Sequence, residues 1–548
     1  MTFPLTMEHL LWRMRNVHRG SEVVAVVPGG TEVQRASFPE TAARARALAV
    51  GLRAVYGLDT GSVVAVLAFN TRQHLEILLG VPTVGAVVES INIRTGTDVI
   101  LDQLSASRPG VVLVDQEALD HAIVGPTARA VLEACRAAGR PTLVMDSHTG
   151  TGLRDIIAAG EREPSSVAQV SENDAAYLYH TSGTTGRPKT YTVTHRDAVL
   201  HALSQATTVA ADLRPEDRVL PLAPFFHVNG WGLPLTCAMT GSDLVLMGAD
   251  ASAASVVDVL EAQSVTVAAA VPTVWYDVCE IARQRRAEQP AGGGAPRTAL
   301  REVLTGGSVV PASVAAAIEN HLGARVATAW GMTETMACST YEREDPSSDA
   351  GLPIPLVETR VVDVLEDQGG DIRGRLEVRG AFVVGARNTD HGDQGWLDTG
   401  DIASIGEDGR LRLHDRQKDL IKSGGEWIVS AELEQRLCGH PGVSSAAVVA
   451  RPHPRWMERP VAYVVLRPGL TAEEVSPEDL REHLAAELPR WWLPDDITIT
   501  DDLPRTAVGK VDKAFLRRAQ GDRETAGAAR APGGSDPSDD GHESETAA

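Results

Sequence analysis

An eleven-residue stretch, Tyr179-His180-Thr181-Ser182-Gly183-Thr184-Thr185-Gly186-Arg187-Pro188-Lys189, concentrates groups suited to holding an anion. Its two glycines let the backbone come close to a ligand, its four Ser and Thr hydroxyls donate hydrogen bonds, and Lys189 adds positive charge. Together these describe a phosphate cradle. The order is not the GxxxxGK[ST] of P-loop enzymes, so the mechanics of that loop are not implied. Further along, Glu334 and Asp401 lie in segments rich in Gly and Thr, and Lys510 ends a Gly-Lys turn. Taken alone, these three read as solvated side chains and Trp330 as core. Their meaning comes from the segments around them.

Those segments follow the cradle in a fixed order. They are Phe225-Phe226-His227-Val228-Asn229-Gly230-Trp231, Ala329-Trp330-Gly331-Met332-Thr333-Glu334-Thr335, Trp396-Leu397-Asp398-Thr399-Gly400-Asp401, the run from Asp415 to Trp427, and Pro504-Arg505-Thr506-Ala507-Val508-Gly509-Lys510. With these motifs the chain resembles the adenylate-forming superfamily of acyl-CoA synthetases, peptide-synthetase adenylation domains and beetle luciferases, over residues 20 to 518. The resemblance implies an α/β fold: a large multi-layer N-terminal domain and a small mobile C-terminal α+β domain. It also implies ATP, Mg2+ and CoA, the last as acceptor of an activated acid.

A carboxylate and a triphosphate repel each other. A site that joins them must screen charge, align the oxyanion on the α-phosphorus and stabilise a crowded phosphoryl transition state. By resemblance, Thr181, Ser182, Gly183, Thr184, Thr185, Gly186 and Lys189 cradle the phosphates, while Thr184 and Glu334 hold Mg2+ as a hard oxygen site requires. Gly307, Ser308, Ala329, Gly331, Met332 and Thr333 line the nucleotide, and Trp330 stacks on adenine where the family more often has Tyr. Asp401 accepts the ribose hydroxyls with Arg416 assisting. Lys510 is the adenylation lysine. After pyrophosphate leaves, the small domain rotates and presents Lys422, Gly424 and Gly425, the glycines giving a pantetheine arm room to pass.

The wording Ser423-Gly424-Gly425-Glu426-Trp427-Ile428, with Pro452-His453-Pro454-Arg455-Trp456 and Phe226 to Pro234, is most similar to bacterial medium- and long-chain fatty acyl-CoA synthetases. There the acid pocket would involve His227, Val228, Trp231, Gly307 and Trp330, with Trp231 as a gate; a buried aromatic pair without a gating role is the alternative. Three places depart from the family: Thr190 where glycine usually follows the loop lysine, Gly374-Arg375-Leu376 for Gly-Glu-Leu, and Gly385-Ala386-Arg387 for Gly-Tyr-Tyr. They fall outside the expected nucleotide contacts and bear on the acceptor and on the acid. An acyl- or aryl-CoA ligase leads. The same adenylation with another partner competes, either carrier-protein loading or a nitrite-activating diazotase acting on an aryl amine. A non-catalytic nucleotide-binding protein is disfavoured by the joint presence of Lys510, Glu334 and Asp401.

Positioning these residues calls for alternating strands and helices. From Ser62 to Glu334, β-rich runs such as Val63 to Ala68, Val111 to Val114, Leu244 to Met247 and Val265 to Val271 alternate with helical patterns such as Ser252 to Gln263, which reads as α/β layering. Gln289 to Thr298 reads as an exposed loop. The sequence divides into a large domain over 1–414, a hinge at 415–418, a small α+β domain over 419–520 and an acidic tail over 521–548. That tail carries seven acids, two arginines and no large apolar side chain, so disorder is expected.

Composition sets the outer bounds. A net charge of -22 excludes a basic nucleic-acid surface. The five cysteines show neither zinc-ligand nor disulfide spacing, which suits a reducing cytoplasm. The N-terminal twenty residues lack a signal-peptide or membrane-spanning core, and Met7, Leu10, Leu11 and Met14 have the spacing of a docking helix. Small-molecule substrates are the expected partners, and the resemblance leaves room for a homodimer.

Overall fold

The computed structural model describes residues 3–27, 32–146, 149–163, 169–181, 189–288, 298–346, 349–368, 371–388, 395–424, 426–505 and 511–528. The chain forms two compact units, residues 1–417 and 418–548. The division lies beyond Asp415 because Asp415 and Arg416 complete the strand Leu411–Arg416, where Arg416 stands opposite Asp401.

Three sheets build the first unit. In the nine-stranded sheet, six parallel strands run in the order Arg325–Trp330, Glu302–Gly306, Val267–Ala270, Arg218–Pro221, Asp243–Leu246, Glu22–Val26, with antiparallel strands at both edges. In the six-stranded sheet, five parallel strands end on Val87–Ser90 and Ala175–Thr181, and Lys189–Thr194 returns antiparallel. The third is a four-stranded antiparallel sheet from Val357–Gln368 to Leu411–Arg416. Parallel strands covered by helices on both faces must be apolar throughout. Val63–Leu67 is accordingly Val-Val-Ala-Val-Leu, with every residue buried.

The helices start where the sequence supplies caps. Ser37 with Glu40, and Thr194 with Asp197, close capping boxes, and Ser252 caps Ala253–Ala262. The expected docking helix is Glu8–Asn16, with Leu10, Leu11 and Met14 buried and Met7 buried just before it. Among the described residues, no helix is long and apolar enough to cross a membrane.

The second unit is α+β. Its sheet pairs Val443–His453, Met457–Leu466, Ile421–Ser423 and Glu426–Ile428, with Asp496–Ile499 added parallel to Met457–Leu466. The helices Ser430–Gly439 and Pro477–Ala485 cover it with Leu433, Leu437, Leu480 and Leu484. The final helix runs from Lys513 to Ala528, past Gly521 where the structureless tail was expected to begin. The residues added, Asp522 to Ala528, include the helix formers Arg523, Glu524, Ala526 and Ala528, which extend a helix already nucleated. The rest of the tail and the segment 289–297 lie outside the described residues.

Candidate active site

Three of the candidate segments leave the C-terminal ends of adjacent or nearby parallel strands. Gly307 and Ser308 follow Glu302–Gly306 and are exposed; Gly331, Met332 and Thr333 follow Arg325–Trp330, which ends in Ala329 and Trp330; His227 and Val228 come six and seven residues after Arg218–Pro221. This is the edge at which open parallel sheets bind ligands, since loops there can diverge without breaking the ladder.

Asp401 is the best-defined part of the site. It lies in Leu397–Ile405 and is 4% exposed. Its Oδ1 accepts from Arg416 Nε at 2.6 Å and its Oδ2 from Trp330 Nε1 at 3.0 Å. Its backbone N–H donates to Thr399 Oγ1, and the Thr399 hydroxyl donates to the Leu376 carbonyl. The carboxylate is therefore fixed in direction and compensated in charge. Four lone-pair sites on two oxygens leave capacity for further hydroxyl donors. Trp330, only 7% exposed, is thus a hydrogen-bond donor to the ribose-binding candidate as well as an aromatic face.

Glu334 lies in the short helical turn Thr333–Thr335, fixed by a Met332 N–H donating to Thr335 Oγ1 at 3.1 Å. Tyr191 hydrogen-bonds to Glu334, and the Tyr191 phenol is pushed well above its ordinary pKa, first by burial and then by the Glu334 charge. Sequence reading missed Tyr191. The alternation of its strand and its register opposite Tyr179 carry a signal for burial, but none for contact with a residue so far along the chain.

The structure gives local partners to the segments that depart from the family, and to the glycine that opens one of them. A Cβ on Gly385 would come within 2.6 Å of Glu334 Cβ, so its turn packs against Glu334 only as glycine. Arg375 pairs with Asp363 at 2.7 Å and with Asp398 at 2.6 Å, three residues before Asp401. This arginine is engaged within the four-stranded sheet, which explains its place there without an acceptor. Thr190 hydrogen-bonds to His180 at 3.1 Å.

The acid-pocket candidates occupy an unusual backbone. Val228, Asn229, Gly230, Trp231 and Gly232 all have positive φ, between 36° and 76°, forming one left-handed turn closed by Gly232 N–H to the Val228 carbonyl at 3.1 Å. Left-handed L-residues cost about 1–2 kcal/mol each, so the turn must be held from outside. Asn70 holds its approach. Its amide donates to the Pro221 and Ala223 carbonyls at 2.9 Å each and accepts the Phe225 N–H at 2.8 Å. Gln205 holds its exit, donating to the Trp231 carbonyl at 2.9 Å and accepting from Thr236 at 2.6 Å. His227 precedes the turn with its ring edge-on to Phe226. Asn70 and Gln205 act entirely through long-range contacts that no motif shows.

Thr181 and Lys189 face each other as the last pair of their hairpin. The cradle residues Ser182, Gly183, Thr184, Thr185 and Gly186 lie between them, outside the described residues, as do Gly425 and Lys510. In the second unit, Lys422 lies over the Trp427 ring at 5.1 Å. Gly424 has φ +63°, and a Cβ there would meet the Trp456 ring at 2.9 Å, so glycine is required for both conformation and space.

The profile of the AMP-binding enzyme family matches residues 14–385, and that of the AMP-binding enzyme C-terminal domain matches residues 432–510. The chain is 36% identical to a long-chain-fatty-acid–CoA ligase of Thermus thermophilus, covering 94% of this chain and 96% of the relative. It is 34% identical to a medium-chain-fatty-acid–CoA ligase of Ectopseudomonas oleovorans, covering 92% and 94%. Among solved structures it resembles the anthranilate CoA ligase AuaEII in complex with anthranoyl-AMP, with a TM-score of 0.81 at 22% identity over 96% and 99% of the two chains. A Mycobacterium tuberculosis fatty acyl CoA synthetase gives a TM-score of 0.67 at 27% identity over 95% and 99%.

Proposed function

The chain belongs to the AMP-binding enzyme family, and from that premise we infer an AMP-forming acid–thiol ligase that adenylates a medium- or long-chain fatty acid and passes the acyl group to CoA. The observation that carries the reading is the Asp401–Arg416–Trp330 cluster, in which a buried carboxylate of the antiparallel sheet is held by Arg416 and by Trp330, the last residue of a parallel strand.

Each residue then has a task. Asp401 accepts the ribose hydroxyls, and its two fixed partners keep it from reorienting when ATP arrives. Trp330 offers its ring to adenine while its N–H steadies Asp401. The 181–189 hairpin holds the phosphates. Glu334 and Thr184 would hold Mg2+; a carboxylate anchored by Tyr191 and a threonine hydroxyl are the hard oxygen donors such a cation takes, and the cation when bound neutralises phosphate charge. Lys510 approaches the acid oxygen and the α-phosphate during adenylation, a role suited to a mobile point charge. The Lys422–Trp427 hairpin then serves thiol transfer, Gly424 leaving space beside Trp456. The left-handed turn supplies Val228 and Trp231 to the acid pocket, and His227 comes just before it.

Pyrophosphate release measured across fatty acids, aryl acids and nitrite, each with and without CoA or an aryl amine, tests this reading. Fatty acids with CoA should give release and a thioester detectable by mass spectrometry. Adenylate formation with no thioester from any acid would overturn the CoA assignment.

A further inference from the structure

Next to Thr181 and Lys189, the last described pair of the hairpin, lies a polar chain to which the site described above gives no role. Glu89, in the strand Val87–Ser90, is fully buried. A buried carboxylate is costly unless paired, yet among the described residues no arginine or lysine reaches it. Its Oε2 accepts from the Ser107 hydroxyl at 2.7 Å, and its Oε1 lies 2.5 Å from His180 Nε2. At that separation one hydrogen must lie between the two. The other ring nitrogen, Nδ1, is 3.1 Å from Thr190 Oγ1. With both nitrogens engaged, the ring cannot turn.

The chain of contacts ends at a particular place. His180 and Thr190 are opposite each other in the hairpin, and the next pair, Thr181 and Lys189, is the last before the loop. The contact therefore ties the two strands one step below the stem, and through Glu89 and Ser107 anchors that stem to the neighbouring strand and to the end of the helix Thr97–Ser107. A loop that binds phosphate through backbone N–H groups gains affinity when its ends are already fixed, since less order is lost on binding.

We propose that Glu89, His180 and Thr190 form a polar strap that fixes the stem of the 182–188 loop, making them positioning residues for the ATP phosphates. This rests on the reading of that loop as the phosphate cradle. It also gives Thr190 a purpose: a glycine there could not receive His180.

Calorimetric binding of Mg-ATP and ATP–pyrophosphate exchange, on the full chain and its variants, test the strap. Thr190→Val removes the hydroxyl at nearly constant shape and should weaken ATP binding and raise KM for ATP by about tenfold, with kcat changed by less than about threefold. Thr190→Ser should restore both. Glu89→Gln, which keeps the shape but changes the sharing of the hydrogen, should fall between. An unchanged ATP affinity in Thr190→Val would overturn the strap, as would equal loss in Thr190→Ser or a fall in kcat with lost thermal stability and unchanged KM. A wild-type chain that binds ATP but does not exchange pyrophosphate would fail the adenylation reading, and the calorimetry would still decide the strap. No ATP binding by the wild type would overturn both.

Discussion

Replacing Asp401 with Asn probes the site at its most constrained point. The substitution keeps the side chain's shape but exchanges one acceptor oxygen for an NH2 group. Both positions already face donors, Arg416 Nε at 2.6 Å and Trp330 Nε1 at 3.0 Å, so whichever way the amide turns it opposes one of them. The loss of a hydrogen bond to a charged group costs about 1.5–3 kcal/mol. Arg416 is 42% exposed, so water screens that end and the lower figure applies there. The ribose hydroxyls also lose a charged acceptor, bringing the expected loss in ATP binding to about 3 kcal/mol, or roughly a hundredfold in KM for ATP. Because these contacts form in the ground state, kcat should change by less than about tenfold. Trp330→Phe keeps the ring and removes only the N–H. In a double-mutant cycle read by ATP–pyrophosphate exchange, the two changes should be sub-additive by about 1 kcal/mol, since both break one contact. An unchanged KM in Asp401→Asn, or full additivity, would refute the cluster as the ribose anchor.

Lys510→Ala should abolish adenylation, by about 3–4 kcal/mol in the transition state, while leaving transfer from a supplied acyl-adenylate largely intact; equal loss in both half-reactions would contradict its role. Gly424→Val forces a branched side chain into a φ of +63° and against Trp456, so single-turnover pyrophosphate release should survive while thioester formation falls by about tenfold or more. His74, His195 and His201 are each held down to about 4 from 6.5, mainly by burial. The unfolded chain protonates them near 6.5 and the folded chain does not until near 4, so stability is full above about 6.5 and is lost as pH falls between these values, by on the order of 2 kcal/mol each from pH 7 to 5. Urea denaturation at those two pH values should show the loss, and a flat profile would contradict their buried neutral state. Deleting the residues after Ala528 should leave turnover and melting temperature unchanged, because a charged segment without large apolar side chains has little area to bury; a large fall in melting temperature would show that it docks.

The sequence by itself determined what is local. The run from Val63 to Ala68 yields the strand Val63–Leu67 because parallel strands buried on both faces must be apolar throughout, and Ser252 starts a helix because its hydroxyl satisfies a free backbone N–H. The order of short motifs identified the family, and the resemblance put Asp401 and Glu334 forward as site candidates that their residue types alone would not single out. Tertiary structure decided everything that depends on residues distant in the chain. That Trp330 donates to Asp401, that Tyr191 meets Glu334, and that Gly385 must be glycine beside Glu334 follow from elements packed together from different sheets and loops. The left-handed turn at Val228 to Gly232 could not be read from its own residues, because Val and Trp resist that conformation and its cost is offset by contacts from distant residues, Asn70 and Gln205 among them. Glu89 gives no sign in sequence of why an acid interrupts an apolar strand; its partners His180 and Ser107 reach it only once β-pairing and helix packing have closed the sheet.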